Sequence, residues 1–294
     1  MRRPLAFSIP FALCCALLST QEAGSAETGP LRATYRIAGE DASLFAPYRN
    51  AGYRLELSST AVGEMLAKVE ITDVADVESA HLPLALSTLS AEVRENLDIR
   101  RSSSDLRKLA ARLSARCRTV AEAERSILAW ISSSISYDDD RSLPQDADSV
   151  LRNRAAHCVG LAELAVDLLR ASGVPARAVS GVWADDRPAP RRKQANVPER
   201  AGVYHRWVEI FDPAVGWIYS DPIGRIDFVS ALYLPFAARP DRAPSSLKVV
   251  PVAAEGELVA ETFGVDRQGR TIWLRSRGSS LPARTAPGIP GGSR

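Results

Sequence analysis

The sequence predicts an α+β fold in which a helix with a cysteine at its first turn packs on an antiparallel sheet, with short strands flanking that core. Residues 154–177 carry Leu161, Leu164, Ala165 and Leu168 at helical spacing, and Gly173 with Pro175 supplies a helix stop. Residues 204–222 place aromatic and β-branched residues on both sides of the turn set Asp212, Pro213, Ala214, Val215 and Gly216, the pattern of a β-hairpin. Between Ser90 and Tyr137 two apolar stripes recur at helical spacing, Leu106, Leu109, Ala110 and Leu113 in one and Val120, Ala123, Ile127, Leu128 and Ile131 in the other.

Taken from its start, the chain opens with Met1-Arg2-Arg3, an apolar run from Leu5 to Leu18, and small residues up to Ala26. This reads as a secretory signal peptide over residues 1–26, too short to be a spanning helix. The protein is therefore expected in the periplasm or secreted, with no stable membrane insertion once the leader is removed. Export would remove Cys14 and Cys15 and leave Cys117 and Cys158 in an oxidising compartment. Cys117, among arginines near a helix boundary, reads as a bystander rather than a disulfide partner.

Residues 27–89 are expected to be strand-rich, because Leu31, Ala33, Tyr35 and Ile37 alternate, as do Tyr53, Leu55 and Leu57, and residues 68–71 add a further short run. So few large apolar groups make a poor independent unit, so these strands are expected to pack on the core or on a partner. Residues 177–183 read as a strand after the cysteine helix. Residues 184–202, rich in Pro and charge, read as a loop beside the hairpin, either a lid or substrate-contact segment or a disordered surface insertion. Beyond the core, residues 247–252, 257–263 and 270–275 read as strands within a C-terminal stretch, 241–276, and the Pro- and Gly-rich tail 277–294 reads as disordered.

Composition narrows the function. With 46% apolar residues the chain can bury a sizeable core, and 37 Lys and Arg against 35 Asp and Glu leave a formal charge of +2. No global attraction to nucleic acid or a membrane surface follows. The cysteines and the scattered His81, His157 and His205 show no zinc-ligand spacing, and Gly288-Ile-Pro-Gly-Gly lacks the Lys-Ser/Thr of a phosphate loop, so neither metal nor cofactor is expected.

Cys158 and His205 are the candidates for chemistry, with plain core packing as the other reading of a cysteine at a helix start. Helix N-termini hold roughly half a positive charge and can pull a thiol down from its resting pKa of about 8.5. No Ser, Thr, Asp or Asn precedes Cys158 to cap the helix, which leaves the first-turn N–H groups for another acceptor. In the hairpin, His205 falls opposite Asp221 or one pair away, where cross-strand neighbours lie roughly 5 Å apart. Alternation puts His205, Trp207, Glu209 and Phe211 on one strand face and Arg206, Val208 and Ile210 on the other. His81 and His157 read as ordinary surface histidines, His157 directed away from Cys158.

Cysteine, histidine and aspartate in this order resemble the transglutaminase-like superfamily of papain-type cysteine enzymes. Cys158, Ala162, Leu164, Leu168, Leu169, Arg170, Gly173, Pro175, Arg177, Val179 and Gly181 follow the family's nucleophile pattern, and His205, Trp207, Val208, Glu209, Gly216, Trp217, Asp221 and Pro222 its second motif. The helix from Arg118 and its Tyr137-Asp138 ending are similar to the segment before the family's nucleophile. One departure is Ala156, where the family commonly has Gly. The resemblance covers about residues 90–235.

It implies a papain/transglutaminase-like catalytic domain over residues 90–240, with the nucleophile cysteine at a helix N-terminus. It implies Cys158 as nucleophile, His205 as base and acid, and Asp221 as the group that holds the imidazole. The Cys158 N–H is the first candidate donor to the oxyanion, and Trp207 and Glu209 are assigned to strand packing, with lining of the acyl pocket as the alternative for one of them. The thioester could pass to water, giving a peptidase or amidase, or to an amine, giving a protein-glutamine cross-linking enzyme. A non-catalytic binding or scaffold protein is the third reading. The expected partner is a peptide or protein substrate, cell-wall peptide included.

Overall fold

The computed structural model describes residues 27–275 apart from 62, 73–76, 99–101, 141, 185–202 and 241–243. The leader, the loop before the hairpin and the tail expected from sequence lie outside the described residues. The described chain begins with the strands β1 (Glu27–Gly29), β2 (Arg32–Ala38), β3 (Tyr48–Arg49), β4 (Tyr53–Ala61) and β5 (Glu64–Ile71). Helices α1 (Ala91–Glu95), α2 (Ser104–Ser114) and α3 (Val120–Ser134) follow, then β6 (Ser136–Tyr137), α4 (Ala147–Asn153), β7 (Ala155–Ala156) and α5 (Cys158–Ala171). The remaining strands are β8 (Ala176–Trp183), β9 (Val203–Asp212), β10 (Gly216–Ser220), β11 (Arg225–Ile226), β12 (Tyr233–Pro235), β13 (Lys248–Glu255), β14 (Leu258–Val265) and β15 (Thr271–Arg275). The fold is α+β, as its apolar periodicities predict.

The central sheet runs β10-β9-β8-β12, antiparallel throughout, and it is covered on both faces. Val208 and Ile210 of β9 enter one core with Leu161, Leu164, Ala165 and Leu168 of α5 and the α2 and α3 stripes. Trp207 enters a second core with Tyr35, Ile37, Tyr53 and Leu55 of the β13-β2-β5-β4-β3 sheet. Alternation along β9 thus sends its odd and even residues into different cores, so a one-residue slip would drive each set into the wrong core. The N-terminal strands do pack on the core, and β13 from the C-terminal stretch completes their sheet by pairing with β2.

The helices start and stop on local chemistry. Ser103, Thr119 and Asp146 cap α2, α3 and α4 by accepting from Leu106, Glu122 and Ser149 N–H groups. Helix α5 is shorter than the 154–177 periodicity suggested. Arg154, at φ 57, closes α4, and β7 pairs with β6 before α5 begins. Gly173, at φ +81, ends the helix in the left-handed region. Among the described residues no helix is long and apolar enough to cross a membrane.

Gly181 is where β8, β12 and the Trp207 ring meet. A Cβ there would lie 2.2 Å from the Leu234 carbonyl oxygen and 2.5 Å from Trp207 Cη2. The oxygen belongs to backbone paired in the sheet and cannot yield cheaply. Gly181→Ala is expected to destabilise the protein by about 3 kcal/mol, read as a fall in the thermal midpoint.

Candidate active site

Cys158 opens α5 and is buried, 7% exposed. The chain reaches it along β7, whose Ala155 and Ala156 pair in parallel with Ser136 and Tyr137. Two side chains then satisfy the helix start. His157 Nδ1 accepts from the Val159 N–H at 3.3 Å. Gln145 Oε1 accepts from the His157 N–H at 3.2 Å and the Gly160 N–H at 3.1 Å, while Gln145 Nε2 donates to the Leu143 carbonyl at 2.9 Å. The expectation that these N–H groups stay open is corrected accordingly, and so is that for His157, which works as the N-cap. Among the described residues the first-turn N–H without a protein acceptor is that of Cys158. A carbonyl oxygen seated there would meet a backbone donor and the positive end of the helix.

The glycine that this turn needs is Gly160. A Cβ there would lie 2.5 Å from Gln145 Oε1, 2.7 Å from Val150 Cγ2 and 2.9 Å from Ala156 Cβ. Ala156, the departure from the family pattern, fits because its methyl group is fully buried above a residue with no side chain.

The hairpin supplies the next two groups. Asp212 pairs with Gly216 and Val208 with Ser220, so Asp221 continues the β10 register on the His205 face, one step diagonal to His205. His205 Nε2 lies 2.9 Å from Asp221 Oδ2, and a carboxylate can only accept, so Nε2 carries the proton. Cys158 lies near enough to the same imidazole to act on its protonation, and Nε2 is committed to Asp221. The structure therefore brings Cys158, His205 and Asp221 into one contiguous set.

Burial pulls the His205 pKa down, but the charge and hydrogen bond of Asp221, joined by the contact with Cys158, outweigh it and carry the imidazole up to about 9. Burial pushes Asp221 up, and His205, Arg225 and Tyr233 together hold its carboxyl below the usual range. Cys117, the other free cysteine, lies outside this set, its thiol pushed up by burial and by Glu122.

Tyr233 was not legible in the sequence. It lies in a short apolar run of β12, on the far side of β8 from the hairpin, and no spacing links it to Asp221. Its hydroxyl donates to Asp221 Oδ2 at 2.7 Å and accepts from Arg225 Nη1 at 3.3 Å. Arg225 in turn lies over the Trp183 ring at 4.6 Å and faces Glu27 at 3.4 Å. With the Ile223 N–H on Oδ1 at 3.2 Å, both oxygens of the fully buried Asp221 are engaged. Tyr233→Phe removes one donor from a buried carboxylate and loosens its aim. It is expected to cost about 1–3 kcal/mol of stability and to slow alkylation of Cys158 at neutral pH about 10-fold, read by intact mass after timed iodoacetamide treatment.

Trp207 and Glu209 are structural, as their place on the strand suggested. Trp207 is fully buried, with its ring 6.0 Å from that of His205. Glu209 accepts from Tyr48 Oη at 2.5 Å, Asn50 Nδ2 at 2.8 Å and Arg177 Nε at 2.8 Å, which ties the N-terminal sheet to the central one. His81 is exposed and pairs with Glu78 at 3.6 Å, away from the site. Among the described residues no group of three or more His, Cys, Asp or Glu is arranged to hold a metal ion.

Residues 107–222 match the family model of the transglutaminase-like superfamily, a span that contains Cys158, His205 and Asp221. The chain is similar to a candidate cysteine protease from Cytophaga hutchinsonii, at 16% identity and TM-score 0.47 over 84% of this chain and 92% of the other. It is also similar to the periplasmic domain of TgpA from Pseudomonas aeruginosa, at 15% identity and TM-score 0.41 over 68% and 94% of the two chains. Red sea bream transglutaminase aligns at 12% identity and TM-score 0.35 over 66% and 46%. No curated protein matches the chain.

Proposed function

We propose that this chain, which carries a transglutaminase-like core over residues 107–222, is an exported cysteine-dependent amide-bond hydrolase of the peptidase or amidase type. The observation that carries the reading is the buried imidazole of His205, set between the Cys158 thiol and the Asp221 carboxylate at a helix start. A nucleophile beside a base that a second ionised group orients is the arrangement covalent acyl transfer uses.

In this reading Cys158 loses its proton to His205 and its sulfur attacks a carboxamide carbon. The oxyanion formed is stabilised by the Cys158 N–H. His205 then returns the proton to the departing amine, and the C–N bond breaks as the thioester forms. Water, deprotonated by His205, attacks the thioester, and the acid leaves as the thiol is restored. Asp221 keeps the imidazole oriented and balances its charge through both half-reactions. The substrate is a peptide or protein carboxamide, with a cell-wall peptide as one candidate.

The test is intact-mass analysis of the mature protein with a pool of glutamine-containing peptides and a primary amine, wild type beside Cys158→Ala. Cleavage or deamidation that needs Cys158 and incorporates no amine supports the hydrolase. Amine incorporation would replace it with the cross-linking enzyme. Untouched peptides, together with Cys158 alkylated no faster than Cys117, would leave a binding or scaffold protein.

A further inference from the structure

The nucleophile and the base come from different elements, and their separation depends on how α5 lies on the β8–β9 sheet. Most of that contact is apolar, Val208 and Ile210 against Leu161, Leu164 and Leu168. Apolar packing is non-directional and tolerates small sliding, yet a misplacement of about 1 Å can cost roughly 100-fold in rate. Some directional contact must therefore set the register of helix on strand.

Arg206 supplies one. It follows His205 on β9 and points to the helix face, with its side chain 2% exposed. Its Nη1 donates to Glu163 Oε1 of α5 at 2.8 Å, its Nε to Ser180 Oγ of β8 at 3.1 Å and its Nη2 to Tyr204 Oη at 3.3 Å. Arg239 Nη1 reaches the same Glu163 oxygen at 3.3 Å. Among the described residues, besides the Cys158–His205 contact itself, the other side-chain bond from α5 to this sheet is Arg170 Nε on the Ala176 carbonyl at 2.8 Å, at the helix end remote from Cys158. Stability alone does not call for a guanidinium here, because Arg206 is buried while Glu163 is one-third exposed, and such a pair repays little of the cost of burying the charge. A rigid, forked donor does meet the demand for a fixed register.

We infer that Arg206 is a positioning residue, whose bond to Glu163 fixes the helix carrying Cys158 against the strand carrying His205 and so sets the distance between nucleophile and base. The inference rests on the reading of Cys158 and His205 as that pair.

The test uses iodoacetamide as probe and reads the His205-dependent part of Cys158 alkylation across neutral pH in the whole protein. Arg206→Met, and Arg206→Met with Glu163→Met to keep the fold without a stranded charge, are each made with His205 present and with His205→Ala. Arg206→Lys is the conservative variant. The expected result is a fall of about 10- to 100-fold in the His205-dependent rate for both methionine variants. The doubly substituted protein is expected to keep its thermal midpoint, Arg206→Lys to recover part of the rate, and no further loss to occur in the His205→Ala background. If wild type exceeds His205→Ala but the methionine variants match wild type, or lose as much without His205 as with it, the positioning role is overturned. If wild type and His205→Ala alkylate alike, the nucleophile–base reading falls and this inference with it.

Discussion

Cys158→Ala is expected to lower amide turnover at least about 10⁴-fold while leaving the fold intact. The side chain is small and buried at the head of α5, so alanine removes one sulfur from a site 7% exposed and creates little cavity. The helix start stays capped, because His157 and Gln145 hold the Val159 and Gly160 N–H groups whatever stands at position 158. What is lost is the atom that forms the thioester, and neither His205 nor the first-turn N–H can replace it. Comparing circular dichroism and thermal midpoint with turnover separates the two effects. A variant with retained turnover would end the covalent mechanism.

Asp221→Asn is the second large effect, expected at about 10³-fold in turnover. An amide keeps one acceptor oxygen but is no fair substitute. Here both carboxylate oxygens already accept, Oδ2 from His205 Nε2 and the Tyr233 hydroxyl, Oδ1 from the Ile223 N–H. Whichever way the amide is turned, its NH₂ meets a donor, and in one orientation that donor is His205. The negative charge disappears as well. Burial is then opposed only by the Cys158 contact, and the His205 pKa is expected to fall well below about 9.

The same pair makes stability pH-dependent. His205 titrates higher folded than unfolded, so the pair's contribution is complete below about pH 6.5 and is lost as pH rises through about 9. The net His205 shift, in which burial and Cys158 also share, corresponds to a contribution on the order of 3 kcal/mol. From the partner's side, Asp221 titrates lower when folded, so the contribution is also lost as pH falls through that depressed value. These are two ends of one interaction and are not added. Thermal midpoints measured between about pH 6 and 10 should decline in wild type and run nearly flat in Asp221→Asn. Parallel slopes would count against the charged pair.

Much of this site is written locally. Residues 203–220 form a hairpin whose turn residues set the register, and register carries Asp221 to the His205 face. The apolar spacing from Leu161 to Leu168 and the Gly173 stop define the helix after Cys158 in the same short-range way. Neither inference requires knowing what lies on the other side of the sheet. The pattern is less reliable where polar side chains compete for backbone. The chain before Cys158 turns into β7, and α5 is capped by His157 and Gln145, two residues that composition does not single out.

The α+β class, the cysteine helix, the hairpin and the order of Cys158, His205 and Asp221 are legible along the chain, because periodicity and turn chemistry act over a few residues. Packing in three dimensions is what lets Tyr233 and Arg225 support Asp221, Glu209 join Arg177 to Tyr48, Arg206 reach Glu163, and β13 close a sheet begun by β2. Each of these contacts joins residues distant along the chain through buried polar atoms. Their partners are chosen by which groups the packed elements bring within hydrogen-bond range, and no local spacing encodes that choice.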